Sequence, residues 1–395
     1  MRTQPGTSSR REPPTDAPRL RGLTVRVPPT VLVQEEVSEV FAAQPGLGRL
    51  AQRLVTTSFG AAGVERRHTV LAELSLRPGA DDAGAEFFDR ATGLLRSPGT
   101  AARNAVYAQH AGPLAVKTGR DAINAVPGID ATDISHVITV SCTGFYAPGP
   151  DFEVARDLGL RPGVQRYHLG FMGCYASLPA LRLAAQLCEA DAEAVVLVIS
   201  VELCTLHLRT SEDSDTIIAT SLFADGVGAA LVTRRAPGLG ERTLELERFA
   251  TRTTPDGERE MAWRIGDHGF EMVLSNAVPA IIGAHVTDAV APLLGPEPAL
   301  AEALRGGTAG DAIPHWAVHP GGRSILDRVE RALALDPTQL KPARSILRDY
   351  GNMSSATILF VLRRILDEAA DGDRIAAMAF GPGLTVESAL LTARA

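Results

Sequence analysis

Three residues that lie far apart in the sequence have side chains and settings that could support nucleophilic chemistry. Cys174 comes just before a helical pattern, and the positive end of a helix favours the thiolate, the nucleophilic form of the side chain. His319 ends an apolar run before Pro-Gly-Gly, where an imidazole could act as a base or donate a hydrogen bond. Asn352 precedes another helix and could donate from its amide. Each also has a structural explanation, as a packed thiol, a loop-capping histidine or a helix cap.

The other cysteines, the net charge and the apolar runs argue against several classes of function. Cys142, Cys188 and Cys204 are interpreted as packing or cavity-lining residues. Four cysteines without a CxxC pair in 395 residues fit neither a zinc site nor a disulfide scaffold, so we expect reduced thiols and a cytoplasmic protein. A net charge of -7 argues against nucleic-acid binding. The apolar run 194–201 is far shorter than the ~20 residues of a membrane helix.

The placement of these residues depends on alternating strands and helices. From about Gly22 onward, short apolar β-type runs alternate with Ala-, Leu- and Arg-rich helical stretches, which predicts a parallel α/β architecture. In the first half we predict strands at 136–141 and 194–201, with a helix at 179–190 between them. This unit places Cys174 beyond a strand end and at a helix start, where α/β proteins usually hold their reactive groups.

The second half repeats the alternation after a Pro- and Gly-rich segment at 236–241, which we interpret as a domain boundary. We predict a disordered leader at 1–21, an N-terminal half at 22–236 and a C-terminal half at 237–395. Two α/β halves of similar size suggest an internal duplication. The elements predicted for the C-terminal half are a helix at 269–294 interrupted by Pro279, a strand at 316–319, helices at 323–335 and 354–368, and strands at 375–380 and 385–391.

Short motifs occur in an order that resembles a known group of enzymes. Gly173-Cys174, His319-Pro-Gly-Gly and Gly351-Asn352 resemble the Cys-His-Asn condensing enzymes of the thiolase fold. The segment 380–387, FGPGLTVE, is similar to the GFGPG-type loop of the type III polyketide synthases, the chalcone synthase family. Further similar segments lie at 144–151, 202–204 and 222–226, so the resemblance covers roughly residues 25–395.

The resemblance implies a fold, an assembly and a source. The fold is thiolase-like α/β, with two duplicated halves that form a five-layered α-β-α-β-α core, and the assembly is a homodimer. Of the 39 basic residues only Lys117 and Lys341 are lysine, which is typical of a GC-rich genome. The resemblance itself is to a bacterial member of the family.

The resemblance also implies a role for each of the three polar residues. Cys174 would take the starter acyl group from a thioester and later hold the growing chain, since a thiolate forms an exchangeable thioester. His319 would favour that thiolate as an ion pair. Asn352 and His319 would donate hydrogen bonds to the extender thioester and stabilise the enolate that decarboxylation creates. No cofactor or metal is implied, because the substrates are CoA thioesters and loss of CO2 supplies the carbanion.

Further positions are expected to contact the substrate. Phe223 and Phe270 align with the family's two gatekeeper phenylalanines between the CoA tunnel and the cavity. Their neighbours in the elongation cavity would influence product length and cyclisation. The residues at or near cavity-lining positions are Cys142, Thr143, Cys204, His207, Met261 and Ser354, with Gly381, Pro382 and Gly383 in the loop.

Two departures from the family pattern affect substrate delivery and the loop. The lysines around the family's CoA tunnel have no counterpart at 50–67, where only Arg53, Arg66 and Arg67 are basic. These arginines could contact the CoA phosphates, or an acyl carrier protein could deliver the substrate instead. Ala379 replaces the first glycine of the GFGPG loop, a change between small residues that should preserve the backbone.

The function implied is a type III polyketide synthase that condenses a fatty or aromatic acyl thioester with malonyl-CoA. Its product would be an alkylpyrone, a resorcinol or a related phenolic compound. The alternative is a β-ketoacyl-ACP synthase III-like enzyme that performs a single condensation on a carrier-bound substrate. A non-catalytic partner subunit of a condensing enzyme and a cysteine hydrolase are further alternatives.

Overall fold

The structure is a computed structural model that describes residues 15–76, 85–255 and 257–395. Residues 1–14 of the predicted leader lie outside these ranges. The first strand begins at Arg19, so residues 19–21 belong to the sheet and not to a leader. Thr15 also bonds to the carbonyl of Arg234, which ties the start of the described chain to the end of another strand.

The described strands vary from two to eleven residues in length. They are β1 Arg19–Arg26, β2 Thr30–Val33, β3 Arg66–Thr69, β4 Phe88–Asp89, β5 Leu94–Leu95, β6 His136–Ser141, β7 Gln165–Gly170, β8 Val195–Leu203, β9 Asp225–Thr233, β10 Thr243–Thr253, β11 Met261–Gly266, β12 Gly269–Leu274, β13 His315–Val318, β14 Arg374–Gly381 and β15 Thr385–Arg394.

Helices alternate with these strands in both halves of the chain. They are α1 Gln34–Ala42, α2 Arg49–Ala61, α3 Thr100–Asn124, α4 Pro150–Asp157, α5 Ser177–Ala190, α6 Ser214–Leu222, α7 Val278–Leu294, α8 Pro298–Arg305, α9 Ala309–Ala312, α10 Arg323–Ala332, α11 Lys341–Tyr350 and α12 Thr357–Glu368. None of the described helices has both the length and the apolar composition to cross a bilayer.

One large sheet joins the two halves of the chain. Its strand order is β13-β14-β15-β10-β1-β9-β8-β6-β7, and the halves meet where β1 pairs antiparallel with β10. The sheet is mixed and not wholly parallel as the alternation predicted. Among the strands that the structure describes in this sheet, only β6 with β7, β6 with β8 and β13 with β14 are parallel pairs. The antiparallel pairing of β14 with β15 follows from the short Pro382–Leu384 turn between them, because parallel strands need a long crossover.

The two halves repeat one topological unit. In each half a strand is followed by a buried helix, a parallel strand and an antiparallel strand: β6, α5, β8 and β9 in the first half, and β13, α12, β14 and β15 in the second. This repeat supports the predicted duplication, which side-chain identities alone do not reveal.

Helices cover both faces of the sheet and fill the space between the halves. Helix α3 packs on β1, β8 and β9, and α7 packs on β10 and β15. Between these outer layers, α5 contacts β8 and β15, while α12 contacts β9 and β13. The expected α-β-α-β-α layering is therefore confirmed. The central helices are buried on nearly every face, which explains their apolar composition.

The helix predicted at 269–294 is wrong in its first part. Gly269–Leu274 is strand β12, which pairs with β11 in a hairpin, and α7 begins only at Val278. Pro279 lies in the first turn of α7, where its missing amide hydrogen costs nothing, so this proline marks the start of the helix and does not interrupt it. The apolar residues of a six-residue run fit a strand or a helix equally well.

Candidate active site

Three loops at the seam between the halves bring the candidate catalytic residues together. Cys174 lies between β7 and α5, His319 directly follows β13, and Asn352 follows α11. The backbone amide of His319 donates to Met378 of β14 at 2.8 Å, so pairing of the strands continues into the loop. All three side chains line one enclosed cavity. The fold therefore assembles a thiol, an imidazole and an amide from sequence positions 145 and 33 residues apart.

The backbone around Cys174 requires glycine. Gly173 has φ +83°, and a Cβ there would lie 2.4 Å from Cδ of Pro382. A Cβ on Gly381 would lie 2.4 Å from the ring of Tyr175. The predicted loop Gly381-Pro382-Gly383 therefore packs directly behind the thiol-bearing loop, and Ala379 is buried in β14 before it. The loop sets the position of the cysteine backbone.

Burial disfavours charge on both the thiol and the imidazole. It raises the pKa of Cys174 to about 12, although hydrogen bonds from Ser354 and Asn352 act in the opposite direction. Burial alone lowers the pKa of His319 to about 3. The expectation that the helix dipole favours a resting thiolate is thus not met, because α5 begins only at Ser177 and the enclosed cavity outweighs the dipole. A proton transfer from the thiol to the imidazole would leave the cavity without net charge.

His319 is free to accept that proton. Neither of its ring nitrogens has a hydrogen-bond partner among the described residues, although the side chain is 1% exposed. Asn352 is more constrained, since its side-chain oxygen accepts from the Ser354 amide at 2.9 Å. This bond leaves the NH2 group of Asn352 as the donor, which hydrogen-bonds to Cys174 and makes a long contact of 3.5 Å to Gly321 O. Both side chains thus have donor capacity available for a substrate.

A buried carboxylate organises the polar residues behind the cavity. Glu202, at the end of β8, accepts from the Cys142 amide at 3.0 Å and from the Thr143 hydroxyl at 2.9 Å. Ser355 donates to its other oxygen. Burial raises the pKa of Glu202 while these hydrogen bonds lower it. Sequence reasoning noted Glu202 only as part of a motif; a single acidic residue within an apolar strand was the signal that it is a site residue.

The predicted substrate-contacting residues fall into three groups. Met261 lines the catalytic cavity, whereas Cys204 and His207 line a second cavity next to it. Cys142 and Ser354 lie behind these cavities, 3.2 Å apart, with Thr143 in the same polar network, and none of the three lines either space. They act on the site through hydrogen bonds and not through direct lining.

Phe223 and Phe270 differ in their relation to the two cavities. Phe223 lines both, as does Met272, so these side chains form the partition between them. Phe270 lines only the outer one. In each cavity about 20 Å³ is open to the centre of a water molecule, room for about one water. Movement of the lining side chains would therefore widen the space for an acyl chain next to Cys174.

The three arginines expected to contact CoA have different environments. Arg53 is exposed on α2, and Arg66 is exposed with Asp349 at 3.8 Å. Arg67 is fully buried and donates from one nitrogen to the carbonyls of Thr220 and Phe223, at 2.7 Å each. The predicted phosphate contact is therefore wrong for Arg67, because its guanidinium faces the end of α6 and not solvent.

No group of three or more His, Cys, Asp and Glu side chains suited to a metal ion occurs within residues 15–76, 85–255 and 257–395. All four cysteines are buried free thiols.

Comparisons with known proteins agree over nearly the whole chain. Residues 23–236 match the family model of the N-terminal domain of chalcone and stilbene synthases, and residues 245–394 match that of the C-terminal domain. The chain is 33% identical over 387 residues to bisdemethoxycurcumin synthase of Oryza sativa subsp. japonica, an alignment that covers 93% of this chain and 90% of that protein.

Solved structures show the same fold. PKS-I from the brown alga Ectocarpus siliculosus has a TM-score of 0.84 and 27% identity, with 96% of this chain and 99% of that chain covered. The 1,3,6,8-tetrahydroxynaphthalene synthase from Streptomyces coelicolor, a bacterial type III polyketide synthase, has a TM-score of 0.78 and 29% identity, with 95% and 99% covered. The predicted thiolase-like fold is thereby confirmed. The chain belongs to the chalcone and stilbene synthase family of type III polyketide synthases, which are condensing acyltransferases.

Proposed function

We propose that this enzyme condenses a fatty or aromatic acyl thioester with malonyl-CoA by decarboxylative Claisen condensation and then cyclises the chain. The product would be an alkylpyrone, a resorcinol or a related phenolic compound. The observation that carries this proposal is the shared cavity of Cys174, His319 and Asn352. This arrangement supports the proposal, because one thioester bound in the cavity would contact a thiol, an imidazole and an amide.

In the loading step, the sulfur of Cys174 attacks the thioester carbonyl of the starter. His319 takes the thiol proton through a free ring nitrogen, and the CoA thiol leaves and recovers a proton. Charge separation is confined to the thiol-imidazole pair, so the cavity stays neutral overall. The acyl group is then held as a thioester on Cys174.

In the extension step, malonyl-CoA loses CO2 and its electron pair forms the enolate of the thioester. The NH2 group of Asn352 and an N–H of His319 donate to the enolate oxygen, which stabilises the developing charge. The enolate carbon attacks the acyl carbonyl on Cys174, a carbon-carbon bond forms, and the sulfur leaves as a thiolate. The sequence of steps requires no metal or redox cofactor because decarboxylation supplies the carbanion.

An unpaired sheet edge supports a homodimer. Strand β7 ends the sheet, and its residues 165–168 are exposed. Phe145, Phe152 and Tyr167 are large exposed apolar side chains on or near this edge. An uncovered edge strand offers free backbone donors and acceptors to another chain. We place the dimer contact there, and sedimentation of the purified protein tests it.

Location, source and substrate delivery form part of the same proposal. The four free thiols support a reducing, cytoplasmic setting, and 37 arginines against two lysines support a bacterial source. Exposed Arg53 and Arg66 remain the candidate contacts for CoA phosphates. Delivery by an acyl carrier protein is tested by comparing the same acyl group on CoA and on a carrier.

Mass analysis of products from an acyl-CoA panel with labelled malonyl-CoA tests the function. We expect products that contain two or more extensions and have lost water or CoA through cyclisation. Cys174→Ala should abolish them, while Cys188→Ala, at a buried thiol that bonds to Val232 O in the core, should not. A single uncyclised extension would instead indicate a β-ketoacyl-ACP synthase III-like enzyme. Unchanged product from Cys174→Ala would contradict the mechanism.

A further inference from the structure

Aromatic rings form a connected wall on the outer side of the catalytic cavity. Neighbouring rings in this aromatic wall have centroids 4.2 to 6.4 Å apart. The wall joins residues from both halves of the chain. Its members are Phe145, Phe171, His207, Phe223, Trp263 and Phe270.

Phe270 is held on several sides within this wall. Its ring stacks on that of His207, with centroids 4.2 Å apart and planes 13° apart. It meets Phe171 edge to face at 5.6 Å and Trp263 edge to face at 5.8 Å. The ring centroid of Phe145 lies 5.7 Å from that of Phe270. Rotation of the Phe270 ring would disturb these contacts, and those with Phe171 and Trp263 have the favoured edge-to-face geometry.

His207 also fixes the backbone of Phe270. Its Nδ1 accepts from the Phe270 amide at 3.0 Å, and its Nε2 lies 2.8 Å from the carbonyl of Thr143. A carbonyl can only accept, so Nε2 carries the hydrogen and the imidazole is neutral. Burial lowers the pKa of His207 to about 3, so this bonding holds at physiological pH. The imidazole thus bridges β12 and the loop after β6.

The position of His207 is in turn restricted by Arg103. Arg103 is fully buried and donates to the carbonyls of Leu206 and Leu208, on both sides of His207. A guanidinium that spans two carbonyls restricts the short turn between them. The histidine ring therefore has little freedom to follow a moving partner.

Phe223 makes fewer contacts with aromatic rings than Phe270 and packs instead against small or flexible side chains, Cys174, Cys204, Ala219 and Met272. The nearest ring is that of Trp263 at 6.4 Å, in a tilted arrangement. Phe223 and the half-buried Met272 separate the outer cavity from the catalytic one, and Met272 has a flexible, unbranched side chain. A change of rotamer at these two residues would join the cavities, whereas Phe270 does not touch the inner space.

We propose that His207 is a positioning residue that fixes Phe270 as an immobile wall, so that substrates reach Cys174 only when Phe223 and Met272 move. The statement about substrates rests on the proposed function. The arrangement of His207 and Phe270 does not depend on it. The sequence resemblance assigns a gating role to both Phe223 and Phe270. In this proposal Phe223 moves and Phe270 stays fixed. The proposal also makes the width of the starter depend on His207, although His207 need not touch the substrate.

The test measures how fast Cys174 reacts with a narrow and a wide maleimide, N-ethylmaleimide and N-benzylmaleimide. Peptide mass spectrometry isolates the reaction at Cys174 from that at other thiols. The ratio of the rate constant for the wide maleimide to that for the narrow one measures how wide the passage to Cys174 is. The intrinsic reactivity of the thiol affects both rate constants equally and cancels. His207→Ala should raise this ratio about tenfold, since it removes a stacked ring and a buried hydrogen bond from Phe270.

Matched variants separate positioning from general damage. His207→Gln can keep both hydrogen bonds and a similar volume, so its ratio should stay within about twofold of the wild type. His268→Ala, at an exposed histidine in the same hairpin, should have no effect. Phe223→Leu should raise the ratio with His207 intact. If His207→Ala does not fold, His207→Leu serves for the same measurement.

An unchanged ratio in the His207 variant would overturn the proposal, as would an equal increase in His207→Gln and His207→Ala. A second measurement follows acylation of Cys174 by acetyl-CoA and benzoyl-CoA using intact-protein mass. If the maleimide ratio responds as expected but no acyl-CoA loads the wild type, the gate stands and the proposed function fails. If acyl groups load but neither ratio responds to His207, the gate fails and the function stands.

Discussion

Arg67 offers a direct test of whether a buried cation near Phe223 positions the site or binds CoA. In Arg67→Met, the carbonyls of Thr220 and Phe223 lose the donor that contacts each at 2.7 Å. Leaving two buried carbonyls without partners costs about 2 to 6 kcal/mol in total. Methionine keeps an apolar side chain next to Phe59, whose ring the guanidinium covers at 5.6 Å.

An opposing contribution limits this loss of stability. Burial lowers the pKa of Arg67 from 12.5 to about 10, which corresponds to roughly 3 kcal/mol spent on keeping the charge in the core. Two of its nitrogens also lack partners among the described residues. Removing the charge recovers this energy, so the net destabilisation should be at most about 3 kcal/mol. The variant should therefore fold, with the end of α6 and Phe223 less well fixed.

The assay compares two thioesters of the same acyl group, one on CoA and one on N-acetylcysteamine, which lacks the phosphates. If Arg67 positions Phe223, kcat/KM should fall for both by a similar factor, about tenfold for the loss of roughly 1.4 kcal/mol of positioning energy. Arg66→Met, at the exposed neighbour, should reduce only the reaction of the CoA thioester. A loss in Arg67→Met that is confined to the CoA thioester would refute the structural reasoning and restore the phosphate contact. Urea unfolding of each variant controls for stability.

Three further predictions concern the catalytic loops. Gly173→Ala should lose condensation activity and about 1 to 2 kcal/mol of stability, because it adds a Cβ at φ +83° against Pro382; Gly163→Ala, where no atom lies within 4 Å, should lose neither. Asn352→Ala should slow malonyl-CoA decarboxylation more than acyl loading of Cys174, and equal slowing in the two half-reactions would contradict its assigned role. The unfolded chain protonates His319 near pH 6.5 whereas the folded chain does so near 3, so stability falls as the pH drops below 6.5. In urea unfolding, His319→Gln should lose about 2 kcal/mol less than the wild type between pH 7 and 5, and an equal loss would show that burial does not lower the pKa of this imidazole in the folded chain.

The parts of the site that could be predicted from sequence have local chemical reasons. Gly173 and Gly381 are required because a side chain at either position would overlap the opposite loop. Gly173 is adjacent to Cys174 in the sequence, and Gly381 is part of the loop that it shapes. The motifs around Cys174 and the loop at 381–383 can therefore be recognised in the sequence. The strand β6 matches its predicted bounds because its six consecutive residues are buried, and the five after His136 are apolar or small.

The parts that could not be predicted depend on contacts distant in sequence. Charge alone predicts that Arg67 is exposed, and only the carbonyls at 220 and 223, about 150 residues away, explain its burial. The environment of Glu202 also depends on distant residues, since its partners come from the loop after β6 and from the turn before α12. Residues 269–274 were assigned to a helix because the pairing with β11 has no signal in their own spacing.

One backbone contact decides which motions of the gate are compatible with catalysis. Phe223 and Asn352 form an isolated parallel bridge, in which the Asn352 amide donates to Leu222 O and the Ala224 amide donates to Asn352 O, each at 2.9 Å. A displacement of the Phe223 backbone would therefore move Asn352, the residue proposed to stabilise the enolate. Arg67 holds the same stretch from its other side. We therefore expect the passage to open by rotation of side chains and not by a shift of the backbone, because the bridge couples the segment that carries Phe223 to the one that carries the proposed donor Asn352.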